Sequence, residues 1–325
     1  MAVYEIAQWK ESESMEICYK GYEKGLVCRE KQYQENTVFE EPIAEIGHRG
    51  MHYCPSPFDV LDHCDLINAD GNFTEFTTVE PLGKISTKNG RKFCTTKMKI
   101  GEKLDFSEFV EACIQFAVDH SVAPSSMKTR EDSCSVNCMI YDHYLYGNPR
   151  DLLTISSSGH YAKIGISGDH AQVSIAGDFS KVFSSGISAK ISSSGYRSLI
   201  GSTGELAQIS SSRNYCQIVS SGYLASICSA GEYSQILSTG NSASIESSGD
   251  FSQIVSLGTD AVVMCSGRGT LVKAKKGSWI TLTEWGYDPG RQCRVPVCVK
   301  TKFVDGIQIK EDTFYWLKDG EFIEC

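Results

Sequence analysis

The 325-residue sequence lacks several signals that would assign a function class directly. No stretch approaches the about 18 uninterrupted apolar residues of a membrane-spanning helix, and the first ten residues lack the basic and apolar segments of a secretory leader. The sequence has neither a Gly-x4-Gly-Lys-Ser/Thr phosphate loop nor a Gly-x-Ser-x-Gly nucleophile elbow. The Gly-Gly-x-Gly-x-Asp turn of calcium-binding repeats is also missing. These absences argue against a membrane-spanning protein, a phosphate-loop nucleotide-binding protein, a serine hydrolase with a nucleophile elbow and a calcium-binding repeat protein.

Basic charge is likewise scarce, since the net charge is −9. Residues 1–150 carry 16 Lys/Arg against 24 Asp/Glu, whereas residues 151–276 carry 9 against 8. This balance argues against general binding to nucleic acid or anionic membranes. The chain does contain 14 cysteines, but without a leader we expect them to be free thiols in the cytoplasm.

Glycine and serine are abundant, and they follow a nine-residue period. Glycine recurs every ninth residue from Gly159 to Gly267, with Arg213 as the one departure. In each unit the third residue after the glycine is small, the fifth is Ile or Val, and the seventh is usually Ser. Because alternate residues of a strand share a face, each unit predicts a short strand with a small–large–small inner face. We expect the glycine to provide a positive φ in the turn before each strand.

A second period of 18 residues indicates two strands per coil, and thus two sheets and about six coils at the usual strand spacing. In alternate units the second position after the glycine is aromatic in five cases of six, and the sixth position is aromatic, aliphatic or glycine. In the other units these two positions are mostly polar. The apolar rows could be covered by the chain's own terminal regions, or they could bind a second copy or another protein. The predicted binding residues are Tyr161, Phe179, Phe183, Tyr215, Val219, Tyr233, Leu237, Phe251 and Val255.

The fold class predicted is therefore mainly β: a two-sheet β-solenoid at residues 151–276, with an N-terminal α+β region at 1–150 and a C-terminal β-hairpin cap at 277–325. Asp105 and Glu108 form a capping-box pattern before a helix whose apolar stripe should pack on strands at residues 17–101. Turn signals between apolar runs in the last 49 residues predict the hairpins.

Several segments resemble an uncharacterised family of phage and gut-bacterial proteins, in which a small N-terminal domain precedes Gly/Ser/Ala-rich repeats. The resemblance implies a cytoplasmic setting, in a phage or another mobile element, and carries no known activity. The segments are 18–22 (CYKGY), 28–29 (CR), 50–57 (GMHYCPSP), 80–84 (EPLGK), 277–282 (GSWITL), 304–307 (VDGI) and 310–313 (KEDT).

Two chemical alternatives concern the N-terminal region. Histidines and cysteines crowd residues 48–64, but they lack the paired knuckles of structural zinc sites, so we expect no metal. Residues 50–57 and the strand ending at Glu80 also resemble ADP-ribosyltransferases. That resemblance implies that Tyr53 would stack on the nicotinamide of NAD and that Glu75 or Glu80 would be the acid. Our main interpretation has no cofactor: a non-enzymatic interaction protein that binds itself or a protein partner.

Overall fold

The computed structural model describes residues 17–121, 135–138, 144–147 and 153–325. The elements of its N-terminal region are β1 (Cys18–Tyr22), β2 (Val27–Cys28), β3 (Lys31–Gln32), β4 (Val38–Glu40), β5 (Met51–Tyr53), α1 (Pro57–Val60), β6 (Glu75–Pro81), β7 (Ile85–Thr87), β8 (Phe93–Thr95), β9 (Lys97–Leu104) and α2 (Phe106–His120). The strands form a four-stranded sheet in the order β1-β6-β9-β4, a three-stranded sheet in the order β5-β8-β7, and the ribbon β2-β3.

The repeats form the predicted β-solenoid, with about seven turns at an 18-residue spacing. Successive strands alternate between two parallel sheets, which we call the open sheet and the covered sheet. The open sheet consists of β10 (Ser135–Cys138), β12 (Thr154–Ser157), β14 (Gln172–Ile175), β16 (Lys190–Ser193), β18 (Gln208–Ser211), β20 (Ser226–Ser229), β22 (Ser244–Ser247), β24 (Val262–Cys265) and β26 (Trp279–Asp288). The covered sheet consists of β11 (Tyr144–Gly147), β13 (Lys163–Ile166), β15 (Lys181–Ser184), β17 (Leu199–Ser202), β19 (Gln217–Ser220), β21 (Gln235–Ser238), β23 (Gln253–Ser256) and β25 (Leu271–Ala274).

The parallel ladder extends beyond residues 151–276 at both ends. Strand β10 pairs in parallel with β12, and β11 pairs with β13, although their sequences do not follow the nonapeptide pattern. At the other end β26 pairs in parallel with β24. The first coil is thus built from residues that lack the nonapeptide repeat, so the nine-residue period did not predict it.

The inner face of the solenoid follows the predicted small–large–small pattern. Ile218 stacks in register on Ile200 and Ile236, and all three are buried. On the open sheet the strands alternate between exposed and buried residues, so its outer face is polar and solvated. One such strand buries little apolar surface, and stacking therefore supplies the core.

The role predicted for the repeat glycines is wrong. Their φ angles are not positive; the residue two positions later has the positive φ, as at Tyr215 (60°) and Leu224 (54°). The glycines instead allow successive turns to stack closely. A Cβ added at Gly222 would lie 1.9 Å from the carbonyl oxygen of Gly204 in the preceding coil, so any larger residue would collide with backbone.

Helix α2 begins with the predicted capping box, in which the Glu108 amide donates to Asp105 (2.9 Å) and the Asp105 amide donates to Glu108 (2.8 Å). Its apolar stripe packs on two partners. Phe109 stacks on Phe76 of β6, with ring centroids 4.4 Å apart, and meets Phe183 of β15 edge to face. The helix is therefore the layer between the N-terminal sheet and the solenoid, and not only a cover for the strands at 17–101.

The C-terminal strands form the predicted cap. Strand β26 turns into β27 (Cys293–Phe303), while β28 (Tyr315–Lys318) and β29 (Glu321–Glu324) form a second hairpin beside β25. Buried side chains of both hairpins, such as Leu282 and Leu317, join the solenoid core. The cap thus covers the apolar interior at the end of the last coil.

Candidate functional site

The apolar rows of the covered sheet divide into two parts with different surroundings. The residues at the sixth repeat position face the N-terminal region and are fully buried in a cluster with Phe58, Phe76 and Phe109. Their assignment as partner-binding residues is wrong, because the chain's own N-terminal region covers them, with α2 over Phe183 and the segment at Gly71 beside Val255. These residues are Phe183, Val219, Leu237 and Val255.

Glycine makes this close packing possible at two positions of the same row. A Cβ added at Gly165 would lie 2.9 Å from the Cβ of Ala117 and 2.9 Å from the Cα of Ile114, so α2 lies directly on β13. At Gly201 the space is filled by the ring of Phe183. The alternation of glycine and large residues thus shapes the covered sheet to fit the helix.

Two buried lysines of the covered sheet hold the segment at residues 58–62. Lys163 donates to Asp59 with an Nζ–Oδ1 distance of 2.7 Å, and Lys181 donates to the carbonyl oxygen of Phe58 at 2.6 Å and also pairs with Asp62. Burial lowers the pKa of Lys181, although Asp62 opposes this effect. Removing one partner would leave a buried charge uncompensated, so these contacts fix the N-terminal region in one position on the solenoid.

A row of glutamine side chains continues this attachment along the rod. The amide oxygen of Gln217 accepts from the backbone amide of Leu66 at 2.7 Å, while its nitrogen donates to Gln235 at 2.8 Å. Gln235 in turn donates to Gln253 at 3.1 Å. These outward-facing glutamines therefore form a hydrogen-bonded ladder beside the apolar row. Gln217 also anchors the N-terminal region through Leu66.

The predicted residues at the second repeat position form a different structure, which we call the aromatic ladder. They lie in the turns at one corner of the solenoid, where each side chain stacks on that of the next coil. Ring centroids are 5.0 Å apart for Tyr161–Phe179, 5.2 Å for Tyr215–Tyr233 and 5.2 Å for Tyr233–Phe251, with interplanar angles of 9°, 9° and 18°. The members are Tyr161, Phe179, Tyr215, Tyr233 and Phe251.

The gap in the ladder is bridged by neighbouring side chains. Where Arg197 occupies the ladder position, Tyr196 contacts the rings of Phe179 and Tyr215 edge to face, at 5.8 and 5.6 Å. The guanidinium of Arg268 lies 4.9 Å from the ring centroid of Phe251 and closes the row. The ladder is therefore continuous along the corner, and Tyr215, Tyr233 and Phe251 remain 42–44% exposed.

An open groove of about 770 Å³ runs beside the aromatic ladder. The ladder and Arg197 form one wall, residues 61–65 form the opposite wall, and the glutamine row with Leu199 lies between them. We call this space the ladder groove. It combines ring edges, amide groups and one exposed guanidinium in a channel that the described part of the chain leaves open.

A second cavity, of about 390 Å³, lies within the N-terminal region. Lys20 of β1 forms part of its lining together with Cys28, Arg29, His52 and Lys92. A smaller cavity of about 170 Å³ adjoins it and shares Lys20, Cys28, Arg29 and His52. We call the two together the Lys20 cleft.

Positive charge dominates the electrostatics of the Lys20 cleft. Burial, and then Lys92, Arg29 and Lys20, lower the pKa of His52 to about 4. The ring nitrogen Nε2 of His52 accepts from the backbone amide of Gly47 at 3.0 Å, which requires the neutral form. His52 is therefore uncharged at neutral pH.

Two thiols of the cleft are unsuited to nucleophilic chemistry at neutral pH. Burial raises the pKa of the Cys54 thiol to about 12 and that of Cys64 to about 11. Because the thiolate is the reactive form of cysteine, both remain as inert thiols. Among the described residues, no three His, Cys, Asp or Glu side chains come together as metal ligands.

The residues expected from the ADP-ribosyltransferase resemblance do not share one cleft. Tyr53 lines the Lys20 cleft, but its ring is buried and stacks on Phe93 with centroids 5.6 Å apart. Glu75 pairs with Lys103 at 2.6 Å and accepts from the Leu26 amide, and neither it nor Glu80 lines the cleft. Burial alone would raise the pKa of Glu75, but these hydrogen bonds lower it below its usual value.

Reasoning from the sequence missed the Lys20 cleft, although one signal was present. Lys20 lies within CYKGY, in the middle of a strand whose five residues are all buried. A lysine in a fully buried strand is rare unless it is paired or functional. The glutamines were identified only as outward polar residues, and the anchoring contact of Gln217 could not be predicted because Leu66 lies 151 residues away in the chain.

Among the comparisons with known proteins, only the N-terminal region has a match. No curated protein and no solved structure matches the chain. No helix in the described ranges has the length and apolar character needed to cross a membrane. Residues 16–112, which include every residue that lines the Lys20 cleft, match a domain of unknown function, DUF7666.

Proposed function

We propose that the chain is a non-enzymatic interaction protein that binds an extended segment of a partner protein in the ladder groove. The observation that carries this proposal is the row of five aromatic rings, stacked as a pair and a trio along an open channel, with the three rings of the trio exposed. Tyr and Arg dominate the energetics of protein interfaces, and both residue types line the groove. The solenoid holds them in fixed positions, so little side-chain entropy is lost on binding.

The shape of the groove favours a peptide segment over a flat surface. Its lining residues extend along the rod, from the coil of Tyr161 to that of Phe251. From Tyr161 to Phe251 the ladder crosses five coil steps, or about 24 Å at the usual strand spacing, which corresponds to about seven residues of extended chain. The side-chain amides of Gln235 and Gln253 retain further donor and acceptor capacity for a peptide backbone.

The chemistry of the walls argues against the other ligands that aromatic rows often bind. Single-stranded nucleic acid and sugars use ring faces, but here the faces are occupied by the neighbouring rings. The edges that remain exposed suit apolar side chains and amide groups.

The resemblance to phage and gut-bacterial proteins gives this proposal its setting. We propose a cytoplasmic phage or mobile-element protein whose partner is a host factor. The cysteines that the structure describes are all free, as expected in a reducing compartment.

The test compares two matched double variants in capture and affinity measurements. Tyr215→Ser/Tyr233→Ser removes two central rings, and Leu206→Ser/Leu224→Ser changes the equivalent turn positions at the opposite corner. Both should fold, because serine occupies that turn position with positive φ at Ser188. Each protein is used to capture partners from host cells, and the captured protein is then purified for direct titration.

We expect the first variant to bind the purified partner at least about 30-fold more weakly, since hot-spot truncations cost about 2 kcal/mol or more. The second variant should bind like the wild type. Equal affinity of all three proteins would refute the assignment of the groove. Light scattering tests the alternative occupant: self-association that the first variant abolishes would assign the groove to a second copy of this chain instead.

A further inference from the structure

The Lys20 ammonium group is a buried charge without a carboxylate partner among the described residues. The residue is only 4% exposed, and in the described part of the chain no carboxylate lies within ion-pair distance of its Nζ. Its contacts are the Cys28 Sγ at 3.2 Å and the rings of Tyr22 and Tyr33, with centroids at 5.0 and 5.3 Å. The buried Lys163 and Lys181 each pair with an aspartate, and Lys273 donates to the carbonyl oxygen of Asp70 at 3.4 Å.

An ammonium group has three N–H donors, and only one of those of Lys20 is used by the thiol. Burying a charge without a counter-ion is costly, and cation–π contacts offset only part of that cost. An anionic ligand in the adjoining cavity would supply the missing acceptors. The side chain lines both parts of the cleft, so a ligand there can reach it.

The surroundings of Lys20 strengthen this preference for anions. The two cavities are lined by five cationic side chains (Lys20, Arg29, Lys31, Arg49 and Lys92) against three carboxylates (Glu23, Glu41 and Asp65). Lys31 and Glu41 pair with each other, which leaves four cations against two acids. This local excess of positive charge occurs in a chain with a net charge of −9.

We propose that the Lys20 cleft is a binding site for a small phosphate monoester. The phosphate would accept from Lys20 at the base of the cleft and lie within the field of Arg29 and Lys92. A doubly charged group matches the two-charge excess better than a single carboxylate does. The volume of about 390 Å³ lies within the range of small-molecule sites and limits the ligand to a metabolite of modest size.

The site would adjoin the ladder groove, with which it shares His63, Cys64 and Asp65, but its ligand would not contact the ladder. All of its lining residues lie within residues 16–112, whereas the ladder belongs to the solenoid. We therefore assign the N-terminal domain a ligand of its own, held by a cationic floor and by neutral polar groups such as His52.

The experiment titrates the full chain with inorganic phosphate and with phenyl phosphate, at constant ionic strength, using acetate as the comparison anion. Calorimetry gives the affinity, and the imidazole NMR signals of His52 report whether the anion enters the cleft. Lys20→Met removes the charge while keeping the length and apolar stem. Lys88→Gln, an exposed change in the same domain, is the matched control.

We expect saturable binding of both phosphates with a shift of the His52 signals, and at least tenfold weaker binding by Lys20→Met but not by Lys88→Gln. If Lys20→Met does not fold, the double variant Arg29→Gln/Lys92→Gln must show the same loss. Binding that survives these changes would overturn the proposal. Acetate binding as tightly as phosphate, or a silent His52, would overturn it as well.

Discussion

Phe183→Ala tests whether the apolar row of the covered sheet is sealed inside the chain. The side chain is fully buried and meets Phe58 and Phe109 edge to face, with centroids 5.7 and 5.8 Å apart. Truncating a buried Phe to Ala costs about 3–5 kcal/mol, of which each ring pair contributes about 1 kcal/mol. We expect this loss in the free energy of unfolding from urea titrations followed by circular dichroism.

The loss of stability in Phe183→Ala should also be localised. Because Phe183 joins the solenoid to α2, amide hydrogen exchange should accelerate in α2 more than in the central coils. Phe179→Ser is the matched control, since this half-buried ring lies four residues earlier in the aromatic ladder and not against α2. If both variants lose less than about 1 kcal/mol, or if Phe183→Ala alters the solution mass and not the stability, the apolar row is not an internal contact.

Three further predictions concern the solenoid and the cleft. Gly222→Ala should destabilise the rod by more than about 2 kcal/mol, because its Cβ would lie 1.9 Å from the Gly204 carbonyl oxygen; a thermal midpoint like the wild type's would contradict the stacking argument. Ser220→Ala should raise the thermal midpoint by the equivalent of about 1 kcal/mol, since the buried hydroxyl has no hydrogen-bond partner among the described residues; a lower midpoint would show that the hydroxyl is satisfied. His52 has its folded pKa lowered to about 4 from 6.5, so the unfolded chain binds the extra proton and stability should fall as pH drops from 6.5 to 4. His52→Gln should flatten the plot of urea midpoint against pH in this range, and an unchanged slope would refute the assignment of this pH dependence to His52.

Local periodicity made the solenoid predictable. The Ile and Val of each unit alternate with small residues, and an identical environment is repeated in each coil, so a single register satisfies every strand. The capping box of α2 was predictable for the same reason, because Asp105 and Glu108 interact within one turn. The turn chemistry was predicted incorrectly, because the glycine signal reflects contact between coils and not the φ of its own residue.

The candidate sites could not be predicted from the repeat, because they depend on contacts between residues that have no fixed spacing in the sequence. The sequence placed Phe183 and Tyr215 in one predicted binding set, yet one is buried against α2 and the other is exposed at a corner. Lys20 and His52 come together only because β1 and β5 are neighbours in the N-terminal region.

The sequence by itself determined the repeating unit, the two sheets, the inner apolar ladder and the hairpin cap, since each follows from contacts between residues at fixed spacings. Only the tertiary structure decided which surfaces remain free. The N-terminal region folds back so that Phe58 and Asp59 meet strands more than 100 residues later. Burial of apolar surface stabilises that contact, and two aspartates compensate the charges of the two lysines buried there. That docking removes one apolar row from solvent and leaves the aromatic ladder open beside it.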